Sequence, residues 1–167
     1  MIVSLILLQT QDGYIAKDKY DDLSWGPKGD KKFFKELSTK IHNIVIGGST
    51  YKAMPDKVFE TRNWFVFTNN PDKYVKRENV HFVKGSASEV VKELEKQGIH
   101  EILVAGGSEI YSMFIQENLY NDIYLTIAPI NLGTGIKGID IQNLNDLKLS
   151  ETIHINKDVT ILHYTKA

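Results

Sequence analysis

The chain predicts an α/β fold: a mostly parallel, twisted sheet flanked by helices and finished by a C-terminal antiparallel hairpin. Three observations predict it. Short apolar runs bounded by turn residues recur along the chain, amphipathic helical patterns separate them, and the last segments switch to strict alternation. Strands that alternate with helices imply right-handed crossovers in one sheet.

The first strand is "IVSLILL", ending at the turn Gln9-Thr10-Gln11-Asp12-Gly13. The N-terminal apolar stretch is short and has no basic leader, so it reads as a buried strand rather than a signal peptide, and the protein as cytoplasmic. "GDKKFFKELSTKI" follows as a helix, with Phe33, Phe34, Leu37 and Ile41 on one side and lysines opposite. "NIVIGG", "NWFVFT" and "VHFV" are the next strands. "SASEVVKELEKQG" is a helix with capping-box spacing at Ser86 and Glu89, an apolar stripe of Val90, Val91 and Leu94, and a stop at Gly98. "EILVAGG" is a strand that leads into a helix starting at Gly107 or Ser108 and carrying Ile110, Tyr111 and Phe114. "DIYLTIAPI" is the last strand of the alternating series. "LKLSETIHI" and "DVTILHYTK", joined through Asn156-Lys157, form the hairpin. No repeat or linker interrupts the series, so residues 1–167 form a single domain.

Bulk composition excludes several functions. A length of 167 residues with 42% hydrophobic and 25% charged residues is ordinary for a globular protein. A formal net charge of -1 argues against a nucleic-acid partner. No cysteine is present, which removes disulfides, thiolate metal sites and a cysteine nucleophile. The histidines (His42, His81, His100, His154 and His163) show no ligand spacing, so no metal is expected. No membrane partner is expected either.

Two strand–Gly-Gly–helix junctions, "IVIGGSTY" and "ILVAGGSEIY", carry the binding signal. Glycine lets a ligand approach the backbone, and the free N–H groups of a helix start point at it. The helix dipole suits a phosphate or pyrophosphate, and ligands gather at the carboxyl ends of strands in open α/β sheets. Two such junctions suit one extended dinucleotide. The same glycines also suit plain tight packing between strand and helix. Asp30 and Phe34 lie four apart and share a helix face, so a carboxylate lines whatever pocket the aromatic faces. Burial there would raise its pKa toward the range useful for proton transfer. The competing reading of Asp30 is a helix-start cap. Trp25 reads as a core aromatic or as a wall of the same pocket.

These segments together resemble the dihydrofolate reductase family over nearly the whole chain. "MIVSLILLQTQDGYIA" is similar to its first strand and active-site loop, and "WGPKGDKKFF" to its substrate helix. "VIGGSTY", "TRNWFVFT", "ILVAGGSEIY" and "IYLT" follow in the same order. The resemblance implies NADPH-dependent reduction of 7,8-dihydrofolate to tetrahydrofolate. Asp30 would bind the pterin and promote protonation at N5, with Thr126 supporting it. Leu8, Trp25, Phe34, Met54, Arg62 and Ala105 would contact substrate, Arg62 through the glutamate tail's α-carboxylate. Ile15 and Ala16 would cover the nicotinamide, and Tyr111 would stand near it. Gly47, Gly48, Ser49 and Thr50 would hold the pyrophosphate from one side, and Gly106, Gly107, Ser108 and Ile110 from the other. Thr68 and Asn69 would lie by the adenosine. The resemblance also implies a cis peptide between Gly106 and Gly107, and a monomer ahead of a dimer.

The sequence departs from the family pattern at three places. Gly48 and Glu109 stand where arginines often serve the 2′-phosphate of NADPH, which leaves NADH as the alternative cofactor. Ser49, Lys52, Thr68, Asn69 and Lys84 are candidates to compensate. The loop "AKDKYDDLS" is highly polar. "TIAPINLGTGIKG" resembles the riboflavin-pathway pyrimidine reductases, which share the fold and cofactor site but take a ribosylaminopyrimidine phosphate. Asp30 followed by the double aromatic places the folate substrate first.

Overall fold

A computed structural model describes residues 1–157 and 159–167. The elements run β1 (Ile2–Thr10), β2 (Tyr14–Ala16), α1 (Lys28–Ile41), β3 (Asn43–Gly47), α2 (Gly48–Ala53), β4 (Asn63–Phe67), β5 (Val80–Val83) and α3 (Ala87–Lys96). They continue as β6 (Glu101–Val104), α4 (Ser108–Gln116), β7 (Asp122–Ala128), β8 (Ile136–Lys137), β9 (Leu147–Asn156) and β10 (Val159–Lys166). An eight-stranded sheet has the order β5-β4-β3-β6-β1-β7-β10-β9. Pairings from β5 to β7 are parallel, whereas β10 runs antiparallel to both β7 and β9.

The expected fold class is therefore the observed one, with adjustments at element ends. β7 stops at Ala128 rather than reaching Ile130, because the chain turns there: Ile130 N–H donates to the Ala128 carbonyl. The expected last strand includes Asp158, which lies outside the described residues, and the described strand starts at Val159. The small β2–β8 ribbon, antiparallel and separate from the main sheet, was not foreseen. Its strands are two and three residues long, too short to leave a period in the sequence.

Each face of the sheet carries its own core. On one face α3 and α4 bury Val90, Val91, Leu94, Ile110 and Phe114 against Val45, Val104 and Ile123. On the other, α1 and α2 bring Ile41 and Tyr51 over Ile44, Ile46, Trp64 and Leu103. Strands covered on both faces become continuous apolar runs, which is why "IVSLILL" and "NIVIGG" lack alternation. β9 is exposed over most of its length, with Leu147 at its start packed against the first core. No described helix is long and apolar enough to cross a membrane.

The helices that leave β3 and β6 go to opposite faces, α2 to one and α4 to the other, although the two strands are neighbours. A crevice opens at the carboxyl ends of such a strand pair, where an open α/β sheet takes its ligands. Both Gly-Gly junctions lie at the carboxyl ends of this strand pair.

Candidate active site

Asp30 is the third residue of α1 and is only 9% exposed. The helix is capped at Pro27 without a side-chain hydrogen bond, so Asp30 does not act as a cap. Its carboxylate is turned to the sheet, where the buried Thr126 hydroxyl donates to Asp30 Oδ1 at 2.5 Å. Thr126 is held by register, with Leu8 on β1 opposite it on one side and Ile161 on β10 on the other. Burial raises the Asp30 pKa above the ordinary carboxylate range, and the Thr126 hydrogen bond opposes that rise. The carboxyl group therefore takes up a proton more readily than a free carboxylate.

Tyr111 lies beside the glycine turn, near enough to Asp30 to feel its charge. Its buried hydroxyl donates to the Ile6 carbonyl at 2.6 Å. Burial, and then the nearby Asp30 charge, push its pKa far above that of a free phenol, so it stays a neutral donor. A Cβ on Gly106 would come 3.6 Å from the same hydroxyl.

The two glycine turns pack against each other. Gly47 N–H donates to the Gly106 carbonyl, and Ala105 N–H to Val45, both at 2.9 Å. The Gly106–Gly107 peptide is cis, as the resemblance implies, and Gly106 has φ +124°, which favours glycine. Thr50 Oγ1 lies over the pair, 3.4 Å and 3.3 Å from where Cβ atoms of Gly106 and Gly107 would sit. A Cβ on Gly47 would meet Ile110 Cγ1 at 3.0 Å. Glycine is therefore needed here for close packing as well as for ligand approach. The helix starts differ in kind. α3 has a complete Ser86–Glu89 capping box, whereas α2 and α4 begin on Gly47 and Gly107 with no side chain accepting from the first-turn N–H groups. A phosphate-bearing group fits this cradle, and among the described residues no cluster of His, Asp or Glu could hold a metal.

The other expected residues fall into several groups. Leu8 and Ala105 are half-buried beside the site, Leu8 with its side chain pressed under Gly26. Phe34 and Met54 are half-buried against the α1–α2 core. Trp25 belongs to neither core: its indole N–H donates to Asp21 Oδ2 at 2.8 Å, which corrects the expectation of a core aromatic. Ile15 and Ala16 lie on β2, where Gly135 passes so close to the Ala16 carbonyl that no side chain fits. Ser108 is half-buried and Ser49 exposed, while Thr68 accepts from Asn70 N–H at 3.0 Å and Asn69 is exposed.

Arg62 is half-buried and held by acceptors of the protein itself. Its Nη1 donates to Ser38 Oγ at 2.7 Å, Nη2 to the Val58 carbonyl at 3.1 Å and Nε to Thr61 Oγ1 at 3.3 Å. Its guanidinium also lies 5.2 Å above the Trp64 ring.

Sequence reasoning missed three features. Asp21 organises the polar loop, accepting from Lys17 N–H at 2.7 Å, Leu23 N–H at 2.9 Å and the Trp25 indole; the aspartates in "DKYDDLS" were the available signal. Tyr74 packs its hydroxyl against Gly48, a contact with no local sequence signature. A cavity of about 270 Å³ opens between α4 and residues 137–144, lined by Ser108, Tyr111, Lys137 and Asn143 among others.

Fold and site together define an α/β protein with two uncapped glycine turns packed together and a buried carboxyl group on the same sheet. Residues 2–138 match the family model for dihydrofolate reductase, and the chain belongs to that family, whose members are oxidoreductases. The uncharacterized protein YwjB of Bacillus subtilis (strain 168) is 28% identical over 98% of this chain and 97% of its own. A putative riboflavin biosynthesis protein from Shewanella sp. PV-4 superposes with a TM-score of 0.76 at 23% identity, over 100% of this chain and 99% of its own. Dihydrofolate reductase from Enterococcus faecalis, complexed with NADP(H) and RAB-propyl, gives 0.75 at 23% identity, over 99% and 96%.

Proposed function

We propose that this protein is a dihydrofolate reductase that uses NADPH to reduce 7,8-dihydrofolate to tetrahydrofolate. The observation that carries the reading is Asp30: a buried carboxyl group, turned to the sheet and bonded to Thr126. A dihydropterin ring needs such a group, because reduction of its 5,6 C=N bond adds hydride at C6 and a proton at N5. The reduced nicotinamide supplies that hydride when bound.

The chain's own residues do the rest. Asp30, protonated more readily than a free carboxylate, binds the ring and promotes protonation at N5. Thr126 orients Asp30. Phe34 and Met54 offer apolar walls to the aminobenzoyl group, and Trp25, Leu8 and Ala105 complete the substrate's surroundings. Ile15 and Ala16 cover the reacting face and exclude water. The Gly47–Thr50 and Gly106–Ile110 segments take the pyrophosphate, with Thr68 and Asn69 beyond them.

One observation favours a second reading. Three of the five guanidinium N–H donors of Arg62 are already taken within the protein, which leaves only one on each terminal nitrogen for a glutamate tail. A riboflavin-pathway reductase acting on 5-amino-6-ribosylaminouracil phosphate has no such tail to bind. Loss of reduced-nicotinamide absorbance, followed with each substrate in parallel, separates the two. Turnover of dihydrofolate is the expected result; turnover of the ribosylaminopyrimidine alone would replace the first reading with the second.

A further inference from the structure

The carboxyl edge of the sheet maps the dinucleotide proposed above. From one side it presents Thr126 on β7, Leu8 on β1, Ala105 after β6, Gly47 on β3, Thr68 after β4 and Lys84 after β5. The proton chemistry occupies the Thr126 end and the glycine turns occupy the middle. The far end of an extended dinucleotide therefore falls over β3 and β4, two to three strand spacings from Leu8, or roughly 10–15 Å.

Three residues meet at that end. Gly48 opens α2, and a Cβ on it would fall within the Tyr74 hydroxyl, so any side chain at this position must displace the ring. The Tyr74 ring is braced on its other sides by Tyr51 and Phe82, each with a centroid distance of 5.9 Å. Lys52, one helical turn after Gly48, holds its Nζ 5.0 Å from the Tyr74 centroid. Among the described residues Lys52 forms no ion pair, and its side chain is exposed. The family's arginine is therefore excluded at position 48 by Tyr74, and the same ring carries a cation supplied from position 52.

We propose that Tyr74 and Lys52 together read the ribose 2′ position at the cofactor's adenosine end. Lys52 pairs with a 2′-phosphate, and Tyr74 fixes where that ammonium sits. This rests on the reductase reading, because it needs a dinucleotide in the crevice. Lys52 is exposed, so the discrimination it gives is that of a screened surface pair, about fivefold. It weakens as salt rises.

The test is binding, read without turnover. NADPH and NADH are titrated into the full chain by fluorescence, with circular dichroism checking that each variant is folded. The wild type binds NADPH more tightly than NADH, K52A weakens NADPH about fivefold and leaves NADH unchanged, and added salt erases the difference. Gly48→Arg weakens both cofactors, and adding Tyr74→Ala restores binding with a renewed NADPH preference. Equal affinity of the wild type for both cofactors, or an equal effect of K52A on both, would overturn the proposal while leaving the reductase reading intact. Undiminished binding by Gly48→Arg alone would overturn the part assigned to Tyr74. Failure of the wild type to bind either dinucleotide would remove the reductase reading itself, and this inference with it.

Discussion

Thr126 donates its hydroxyl to the Asp30 carboxylate across 96 residues of sequence, and both groups are buried. The bond favours the ionised carboxylate, in opposition to burial, so Thr126 sets how far the Asp30 pKa rises. Thr126→Val removes the donor and keeps the shape. The Asp30 pKa then rises further, and the fall of kcat with increasing pH moves to higher pH. KM for the substrate rises as well, because Asp30 loses its orienting partner. A pH–rate profile of the variant that overlaid that of the wild type would show that the bond does not tune the acid.

Tyr111 is a second adjustable part. Its hydroxyl satisfies the Ile6 carbonyl in a buried place, so Tyr111→Phe leaves that acceptor without its donor. The expected loss of stability is about 1–3 kcal/mol, read as a lower urea midpoint at constant slope. Unchanged stability would mean that the carbonyl finds another partner.

The loop that leads into α1 depends on Asp21, which accepts two backbone N–H groups and the Trp25 indole. Asp21→Ala removes all three bonds. Trp64 is fully buried, so a change in intrinsic fluorescence would come from Trp25. We expect altered Trp25 emission and a raised KM, with thermal stability little affected because the loop lies outside both cores. Unaltered emission would show that Trp25 is held by its packing alone.

Much of this architecture was legible in the sequence, for local reasons. The α3 capping box and stripe are contiguous patterns, and the doubly covered strands keep their apolar runs. The Asp30–Thr126 pair was legible only through the family resemblance, since no spacing rule joins residues 96 apart. Of the two readings of Trp25, the core one fails, because its partner is a loop carboxylate four residues earlier, which residue type alone does not reveal. Tyr74 over Gly48 was illegible: it comes from a segment between β4 and β5 that has no regular period. The anchoring of Arg62 was equally hidden, because Ser38, Val58 and Thr61 converge on it only in three dimensions.

Under the proposed function, Asp30 delivers proton chemistry to a dihydropterin while the dinucleotide binds at the glycine turns. The most direct measurement follows NADPH absorbance with dihydrofolate at neutral pH, for wild type and Asp30→Asn, alongside an NADPH titration of each. We expect turnover by the wild type, a loss of roughly 100-fold or more in the variant and the same NADPH affinity in both. Near-wild-type turnover by Asp30→Asn would contradict that role of Asp30.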